Sequence, residues 1–361
     1  MKTIFDGYTP IETDGKSIYF AGANTASGFL GDYSAIADEK KLERVYIIKG
    51  GPGTGKSTLM RRCAQLAEMH GFSAVRYLCG SDPDSLDCVV LDGRIAVLDG
   101  TAPHIRDMAY PGAASELIDV SRFWNSSLLE EKREEIITFS GRKSDCYASA
   151  YRWLAAVQLL EKEKNICSEA VFLREKAEAC VDRFIRKWKR SSAKKGAVHP
   201  VRTHALTMKG AVSVGWNAAD HYTVADSFGC AGLFMELLAE KLTGAGYNLQ
   251  IARLPAPDCI AGIYLEDVDA AVTVGEAQNA EHVINMTRFT SAEIPKGMRG
   301  EYRLTAKIQQ SCLDEALRYL SKAAEQHFAL EQIYVRAMNF DNLGQYTDTI
   351  LSDLEKRLLR R

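Results

Sequence analysis

A lysine and a serine end a glycine-rich segment early in the chain. Residues 50–57 read Gly-Gly-Pro-Gly-Thr-Gly-Lys-Ser, which is the Walker A spacing G-x-x-x-x-G-K-S. Glycines let backbone N–H groups approach phosphates, the Lys56 amine would reach the β- and γ-phosphates, and the Ser57 hydroxyl would bind magnesium. The segment predicts a site for ATP with magnesium. The residues predicted to contact the nucleotide are Gly51, Pro52, Gly53, Thr54, Gly55, Lys56, Ser57 and Thr58.

Magnesium at such a loop also needs a carboxylate at the end of a second buried strand. Ile95-Ala96-Val97-Leu98-Asp99 is an apolar run that ends in an acid, so Asp99 is predicted to bind magnesium and, with Lys56, to be catalytic. A strand that ends in an ordinary turn aspartate is the alternative. Gly100 follows where many motor-type ATPases carry a catalytic glutamate. Strong hydrolysis is therefore not predicted, and the catalytic base is unassigned.

Further carboxylates lie between these two motifs, in the segment Ser81-Asp82-Pro83-Asp84-Ser85-Leu86-Asp87. Asp82 and Asp87 are tentative catalytic residues, because an acid beyond the carboxyl end of a strand can orient an acceptor hydroxyl or a water. Serine and aspartate around proline are also ordinary turn and helix-cap residues, and this plain interpretation stays open. His104 likewise has two interpretations, contact with the γ-phosphate region or a structural role.

Strands and a helix must position these side chains. Residues 45–48 have the apolar, β-rich character of a buried parallel strand and lead directly into the loop. Residues 59–69 have helical character, and residues 74–78 form a strand before the acidic segment. The order of strand, loop and helix is the context that a phosphate loop requires.

The carboxyl half of the sequence repeats the amino half, but without its chemistry. The second copy lacks the cation, the hydroxyl and the carboxylate that hold a magnesium triphosphate. We therefore predict a degenerate domain that serves packing, regulation or docking. The aligned residues are His221-Tyr222 with Val45-Tyr46, Gly229 with Gly53, Gly232 with Lys56, Leu233 with Ser57, and Val274 or Thr273 with Asp99.

The alignment extends through the flanking segments. Asp258 falls on Asp84, and its presence in the degenerate copy weakens a catalytic role for Asp84. Arginines that occur in both halves are first interpreted as structural ion pairs. If the halves form an intramolecular pseudo-dimer, an arginine of the second half could instead reach the γ-phosphate. The flanking pairs are Ile284 with Ile118, Arg288-Phe289 with Arg122-Phe123, Cys312 with Cys146, Arg318 with Arg152, and Ala205, Thr207 and Gly210 with Ala23, Thr25 and Gly28.

Two domains follow from the duplication. Residues 1–195 are predicted to form a P-loop NTPase domain with a helical extension over about 120–190, and residues 196–361 a degenerate domain with a helical carboxyl end. The basic run in residues 183–195 indicates a solvated helix end and linker, with phosphate or nucleic-acid contact as the alternative. The predicted fold class is α/β, with the P-loop NTPase fold in two tandem parallel-sheet halves, each with a helical extension.

Composition restricts the partners and the compartment. The 361 residues carry a formal net charge of -2, which does not indicate a nucleic-acid partner. Nine cysteines without C-x-x-C spacing favour reduced thiols over zinc cages or disulfides. No signal-peptide core and no membrane-spanning apolar run is visible, so a cytoplasmic protein is expected.

The loop at 50–58, the acidic segment at 81–87, the segment Leu98-Asp99-Gly100-Thr101-Ala102-Pro103-His104 and the duplication together resemble a bacterial family of tandem P-loop ATPases. The resemblance covers nearly the whole chain and implies the P-loop NTPase fold and ATP binding, without a substrate. Members often carry a second phosphate loop in the carboxyl half. This sequence departs from that pattern, which speaks against two-site models of nucleotide binding.

Three functions are compatible with these features. The first is a slow or regulated ATPase that uses Mg-ATP in the amino half. The second is a small-molecule or nucleotide kinase in which Asp82 or Asp87 orients the acceptor. The third is a nucleotide-gated interaction module with little turnover. The sequence has no Asn-Lys-x-Asp guanine signature, which favours ATP over GTP, and it does not identify the protein or small-molecule partner.

Overall fold

Two six-stranded sheets, two smaller sheets and a pair of long helices are the main parts of the fold. The computed structural model describes residues 4–102, 105–188, 194–276 and 282–360. Both sheets contain parallel strand pairs and pack against helices, so the chain is an α/β protein. Within the described residues, no helix is both long and apolar enough to cross a bilayer.

The amino half contains nine strands, five α-helices and two short 3-10 helices among its described residues. The strands are β1 (Thr9–Pro10), β2 (Ile18–Phe20), β3 (Gly22–Thr25), β4 (Gly28–Gly31), β5 (Arg44–Lys49), β6 (Ala74–Leu78), β7 (Leu86–Leu91), β8 (Ile95–Asp99) and β9 (Ser115–Asp119). The α-helices are α1 (Tyr33–Ile36), α2 (Lys56–Met69), α3 (Ser126–Glu131), α4 (Arg133–Val171) and α5 (Arg174–Trp188), and the 3-10 helices are Ile4–Gly7 and Ser121–Phe123.

The carboxyl half repeats the succession from β2 to α5, but its described residues include no counterpart of α1 or α3. Its strands are β10 (Val198–Val201), β11 (His204–Thr207), β12 (Gly210–Ser213), β13 (Asp220–Ala225), β14 (Leu249–Arg253), β15 (Ile260–Leu265), β16 (Ala270–Val274) and β17 (His282–Asn285). Its helices are α6 (Cys230–Gly244), the 3-10 helix Met286–Phe289, α7 (Lys296–Ala337) and α8 (Phe340–Leu359).

The two sheets have the same strand order, as the duplication predicts. It is β2-β6-β7-β8-β5-β9 in the amino half and β10-β14-β15-β16-β13-β17 in the carboxyl half. Strand β5 is parallel to β8 and β9, and β13 is parallel to β16 and β17. Strands β7 and β15 run antiparallel to both neighbours, so the sheets are mixed rather than wholly parallel. Asp92 and Gly93, both in the left-handed backbone region, reverse the chain between β7 and β8.

The long helices α4 and α7 pack side by side in opposite directions. The Lys164 amine donates to Gln309 Oε1 at 2.9 Å, and Gln309 Nε2 donates to the Val157 carbonyl at 3.1 Å. Toward the start of α4, Lys143 lies close enough to His327 of α7 to affect its pKa. Residues later in α4 therefore lie beside residues earlier in α7, so the two helices are antiparallel. This helix pair joins the two halves.

Helix α4 is followed by α5, and helix α7 is followed by α8. Each of these following helices packs on the six-stranded sheet domain of the other half. Helix α5 packs on α6, where Ala177 and Val181 share a core with Phe234. Helix α8 packs on α2, where Leu354 and Leu358 share a core whose other members come mainly from the amino half. The ranges 1–195 and 196–361 each contain one six-stranded sheet, but each of these sheet domains takes a helix from the other range. Strand β1 of the first range also pairs with β12 of the second.

Polar contacts accompany the packing of α8 on the amino half. Arg62 of α2 forms an ion pair with Asp348 at 2.6 Å. The Tyr46 hydroxyl of β5 donates to Asp353 Oδ2 at 3.0 Å. The contact between α8 and α2 therefore has both an apolar centre and polar edges.

A histidine on the first strand of the carboxyl-half hairpin is expected to make stability depend on pH. Burial lowers the pKa of His204, which packs edge-on against the ring of Tyr8, to about 4. An unfolded chain takes up this proton nearer pH 6.5, so stability is fully present above pH 6.5 and is lost as pH falls toward 4. We expect the free energy of unfolding to fall by about 2 kcal/mol more between pH 7 and 4.5 in the native chain than in His204→Gln. Denaturant unfolding across this pH range measures the difference.

The exposed histidine His199, which lies 3.2 Å from Glu266, provides the control for this prediction. His199→Gln should keep the acid-dependent loss of the native chain. Equal pH profiles for His204→Gln and the native chain would contradict the assignment.

Candidate functional site

The glycine-rich loop joins the end of β5 to the start of α2. Gly53 and Gly55 have φ values of 69° and 84°, a region in which a side chain would strain the backbone. The Thr54 hydroxyl donates to the Gly51 carbonyl at 2.8 Å and closes the loop on itself. The first backbone N–H groups of α2 point out of the helix at this end, where an anion is stabilised by the helix dipole.

The Lys56 amine lies between the loop and the neighbouring strand. It donates to the carbonyls of Gly50 and Gly51 at 3.2 and 2.6 Å, and it lies 3.5 Å from Asp99 Oδ2. Strand β8 brings Asp99 here because it pairs directly with β5, with Asp99 opposite Ile48. The structure thus brings together the predicted cation and the predicted acid.

Ser57 and Asp99 supply two oxygen ligands of the kind that magnesium prefers. Ser57 Oγ accepts the Leu86 N–H at 2.9 Å, which leaves the hydroxyl with further acceptor capacity. Asp99 Oδ1 accepts the Thr101 N–H at 2.8 Å, which fixes the carboxylate. Thr58, the next residue along α2, also lines the site.

Across the described part of the chain, no group of three or more histidine, cysteine, aspartate or glutamate side chains could hold a metal ion. A magnesium ion on a phosphate loop takes most of its ligands from water and from nucleotide oxygens. One hydroxyl and one carboxylate are therefore the protein ligands such an ion would need.

The acidic residues 82 and 87 have different environments. Asp87 lies inside β7 rather than in a turn; it is 3 % exposed and accepts a hydrogen bond from the Tyr33 hydroxyl at 2.8 Å. This corrects the predicted turn 81–87, because the strand already begins at Leu86. Asp82 remains in the turn, where it accepts the Ser85 hydroxyl at 2.9 Å.

The counterparts of both acids in the carboxyl half are alanines. The Leu78–Leu86 and Arg253–Ile260 strand pairs place Ala256 at the position of Asp82 and Ala261 at the position of Asp87. Asp82 and Asp87 therefore occur only in the half that also has Lys56, Ser57 and Asp99. Asp84, in contrast, has the counterpart Asp258 that the sequence alignment predicts.

Helices α7 and α8 of the carboxyl half cover the loop. A Cβ at Gly51 would lie 2.6 Å from the Tyr334 ring, and one at Gly53 would lie 2.6 Å from Glu331 Cγ. At Gly55 a Cβ would lie 3.1 Å from Leu343 of α8. The loop glycines thus allow the carboxyl half to pack directly against the glycine-rich loop, a contact that no local sequence pattern indicated.

A cleft of about 810 Å³ opens beside the loop, and it is called the amino cleft below. Its walls come from the loop, the 81–87 segment, the first half of α4, α7 and the β11–β12 turn. The side chains and loop residues that define it are Gly53, Lys56, Ser57, Asp82, Asp87, Asp99, Lys143, Tyr147, Tyr151, Met208, His327 and Glu331.

Ionisable groups from both long helices line the amino cleft. Burial lowers the pKa of Lys143 on α4, and burial together with the Lys143 charge lowers the pKa of His327 on α7 to about 4. Burial and the nearby Asp82 carboxylate raise the pKa of Glu331. An anion that enters this cleft would meet the amines of Lys56 and Lys143. Neither Lys143 nor Glu331 belongs to a sequence motif, so only the packing of α4 against α7 identifies them.

The arginines shared by the two halves lie away from this cleft. The one arginine among the described residues that line it is Arg61 of α2, so the carboxyl half contributes no arginine there. The idea of an arginine supplied across the pseudo-dimer therefore has no candidate in the described residues. Arg122 stacks on Phe123 and Tyr346, Arg288 on Phe289, Arg152 donates to Ser149 Oγ, and Arg318 pairs with Glu315.

The equivalent loop of the carboxyl half is two residues shorter. Six residues, 50–55, separate β5 from α2, whereas four, 226–229, separate β13 from α6. Gly229 is the left-handed residue before α6, as Gly55 is before α2, so it corresponds to Gly55 and not to Gly53. Cys230 and Ala231, rather than Gly232 and Leu233, then occupy the positions of Lys56 and Ser57. Strand register places Val274 opposite Val224, as Asp99 lies opposite Ile48.

A carboxylate of the chain itself occupies the start of α6. Asp226 accepts the N–H groups of Gly229 and Ala231 at 3.0 and 2.8 Å, and burial raises its pKa. These are the donors that would face a phosphate in an intact loop. The carboxyl half therefore fills its own anion position, in a larger cleft of about 1070 Å³.

Two predicted features fall partly or wholly outside the described residues. His104 is one of them. The basic run 183–195 is the other. Within its described part, Lys187 on α5 donates to the Tyr222 hydroxyl.

No family model, no curated protein and no solved structure matches this chain. Functional proposals therefore rest on the geometry of the amino cleft.

Proposed function

We propose that the chain binds ATP with magnesium in the amino cleft and hydrolyses it slowly or under control. The observation that carries this proposal is the placement of the Lys56 amine at the loop carbonyls and 3.5 Å from Asp99. A cation, a carboxylate and a helix amino terminus that converge at a glycine-rich loop form the set that a magnesium triphosphate requires.

Each side chain has a defined task in this proposal. Lys56 holds the β- and γ-phosphate oxygens, and the backbone N–H groups of the loop bind the remaining phosphate oxygens. Ser57 and Asp99 hold magnesium, which when bound neutralises phosphate charge that develops during transfer. Helix α7 excludes water from the loop, since Tyr334 and Glu331 pack against its glycines.

Slow turnover follows from the position after Asp99. A Cβ at Gly100 would lie 2.4 Å from Ile47 Cγ2, so a side chain does not fit there without a shift. The chain thus has no room for an acid beside Asp99, where such a residue would activate water. The degenerate half supports the site by packing: its helices α7 and α8 and the β11–β12 turn form part of the amino cleft.

A kinase is the second candidate, because Asp82 and Asp87 occur only in the half with the intact loop. Against it, Asp87 is largely buried and accepts a hydrogen bond from the Tyr33 hydroxyl, and Asp82 forms an ion pair with Lys209 at 3.0 Å. Phosphate release from ATP alone supports the ATPase, ADP formation that depends on an added acceptor supports the kinase, and tight binding without either supports a nucleotide-gated module. Absence of any ATP binding would overturn all three.

Ser57→Ala tests the magnesium site with little risk to the fold. Alanine already occupies the equivalent position, Ala231, in the carboxyl half. Magnesium should raise the affinity of the native chain for ATP. We expect this increase to be about tenfold smaller in the variant, because one metal ligand is removed. Calorimetric titration of ATP with and without magnesium measures that gain. An unchanged gain would show that the Ser57 hydroxyl does not bind the metal.

A further inference from the structure

A lysine from the degenerate half stands beside the amino cleft. Lys209 lies in the β11–β12 turn, and its amine is 3.0 Å from Asp82 Oδ1 and also bonds to Asp84 Oδ2. The neighbouring Met208 N–H donates to the Ser81 carbonyl at 2.8 Å, which fixes the turn against the acidic segment. The amine also lies 6.0 Å from the centre of the Phe328 ring on α7.

The matching hairpin of the amino half carries no charge at this position. Strands β3 and β4 pair Thr25 with Gly28, as β11 and β12 pair Thr207 with Gly210. Ser27 is therefore the counterpart of Lys209. The cation occurs only in the hairpin that faces the intact phosphate loop.

The electrostatic surroundings connect Lys209 to that loop. Burial raises the pKa of Glu331, and the charges of Asp82, Lys56 and Lys209 all act on this carboxyl group. Glu331 packs against Gly53 of the loop. Burial by itself would lower the pKa of Lys209, but its bonds to Asp84 and Asp82 raise it, so the amine stays charged.

We propose that Lys209 recognises the terminal phosphate of ATP and so makes the degenerate half the sensor of triphosphate against diphosphate. The inference rests on the proposed ATP site. An ammonium group has three donors, of which Asp82 and Asp84 take two. The γ-phosphate competes with these carboxylates for the amine. When that phosphate is lost, the Lys209 amine returns to Asp82 and Asp84. Because the β11–β12 turn that carries Lys209 belongs to the carboxyl half, that half responds to the loss.

Lys209→Ser is the direct test, because serine already occupies the equivalent hairpin position. With magnesium present, affinity for a non-hydrolysable ATP analogue should fall about ten- to hundredfold, the loss expected for a charge-assisted hydrogen bond. Affinity for ADP should change by less than about twofold, since ADP lacks the recognised group. Lys209→Arg should recover most of the affinity for the ATP analogue. Lys307→Ala serves as the matched control, because it removes a lysine that lines the larger cleft of the same half. This variant should leave both affinities unchanged.

Two outcomes would overturn the inference. Equal losses for the ATP analogue and ADP would mean that Lys209 only holds the acidic turn in place, and unchanged affinities would mean that it does not reach the nucleotide. Either result leaves the proposed function intact as long as the native chain binds ATP. If the native chain binds neither nucleotide, the proposed function itself fails.

Discussion

Lys56→Ala is expected to lower the affinity for Mg-ATP by at least about a hundredfold and to abolish turnover. The amine is the cation nearest the loop carbonyls, and it also balances the Asp99 carboxylate at 3.5 Å. Without it, the phosphates lose a charge-assisted donor and meet an uncompensated acid. Both changes disfavour a triphosphate, which is why this substitution should have the largest effect on binding.

Titration with a fluorescent ATP analogue and a phosphate-release assay measure the loss. Lys241→Ala is the matched control, because Lys241 pairs with Asp182 between α6 and α5, away from the loop. Thermal unfolding of Lys56→Ala should stay close to that of the native chain, since an uncharged residue, Cys230, already begins α6 at the same position. Native affinity in Lys56→Ala would rule out the loop as the phosphate site.

The largest effect on stability is expected from Leu354→Ala in α8. Leu354 is fully buried in the amino-half core. Removing a buried leucine side chain typically costs about 2–5 kcal/mol, through lost transfer free energy and the cavity that remains. Adding Leu358→Ala enlarges the same cavity, and the pair should bring the amino half close to unfolding at ordinary temperature.

Hydrogen exchange in α2 distinguishes a loss of packing between α8 and α2 from a local change at the end of α8. Because α8 packs on α2, Leu354→Ala should increase amide hydrogen exchange in α2, far away in sequence. Leu359→Ala, at a position 54 % exposed on the same helix, should change the free energy of unfolding by less than about 0.5 kcal/mol. Unaltered exchange in α2 together with native stability of Leu354→Ala would contradict the packing described above.

Local patterns were sufficient to predict the elements around the phosphate loop. The apolar runs before Gly50 and Asp99 are strands β5 and β8, and the helix after the loop begins at Lys56. The alignment of Ile118 with Ile284 also agrees with the structure, since they pair with equivalent residues of β5 and β13. Signals of this kind lie within a few residues of each other, so sequence alone carries them.

Features that depend on distant contacts were not predictable in the same way. An alignment without a gap placed Gly229 on Gly53. Both Gly53 and Gly55 are left-handed, and only the position of Gly229 directly before α6 identifies it with Gly55, which directly precedes α2. Asp87 resembled a turn residue, since serine, aspartate and proline dominate the preceding segment. It is instead the second residue of the buried strand β7, and its carboxylate accepts a hydrogen bond from Tyr33. The sequence predicted helical segments over about 120–190 and at the carboxyl end, but it did not show that α5 and α8 each pack on the other half.

The position of α8 in the chain has a consequence for how the protein is made. Residues of the amino-half core are synthesised long before the leucines of α8 that complete it. At roughly 5–20 residues per second, a ribosome needs tens of seconds to reach them after α2 has emerged. During that interval the nascent amino half exposes the apolar surface that α8 will cover, so chaperone binding during translation should be concentrated on it.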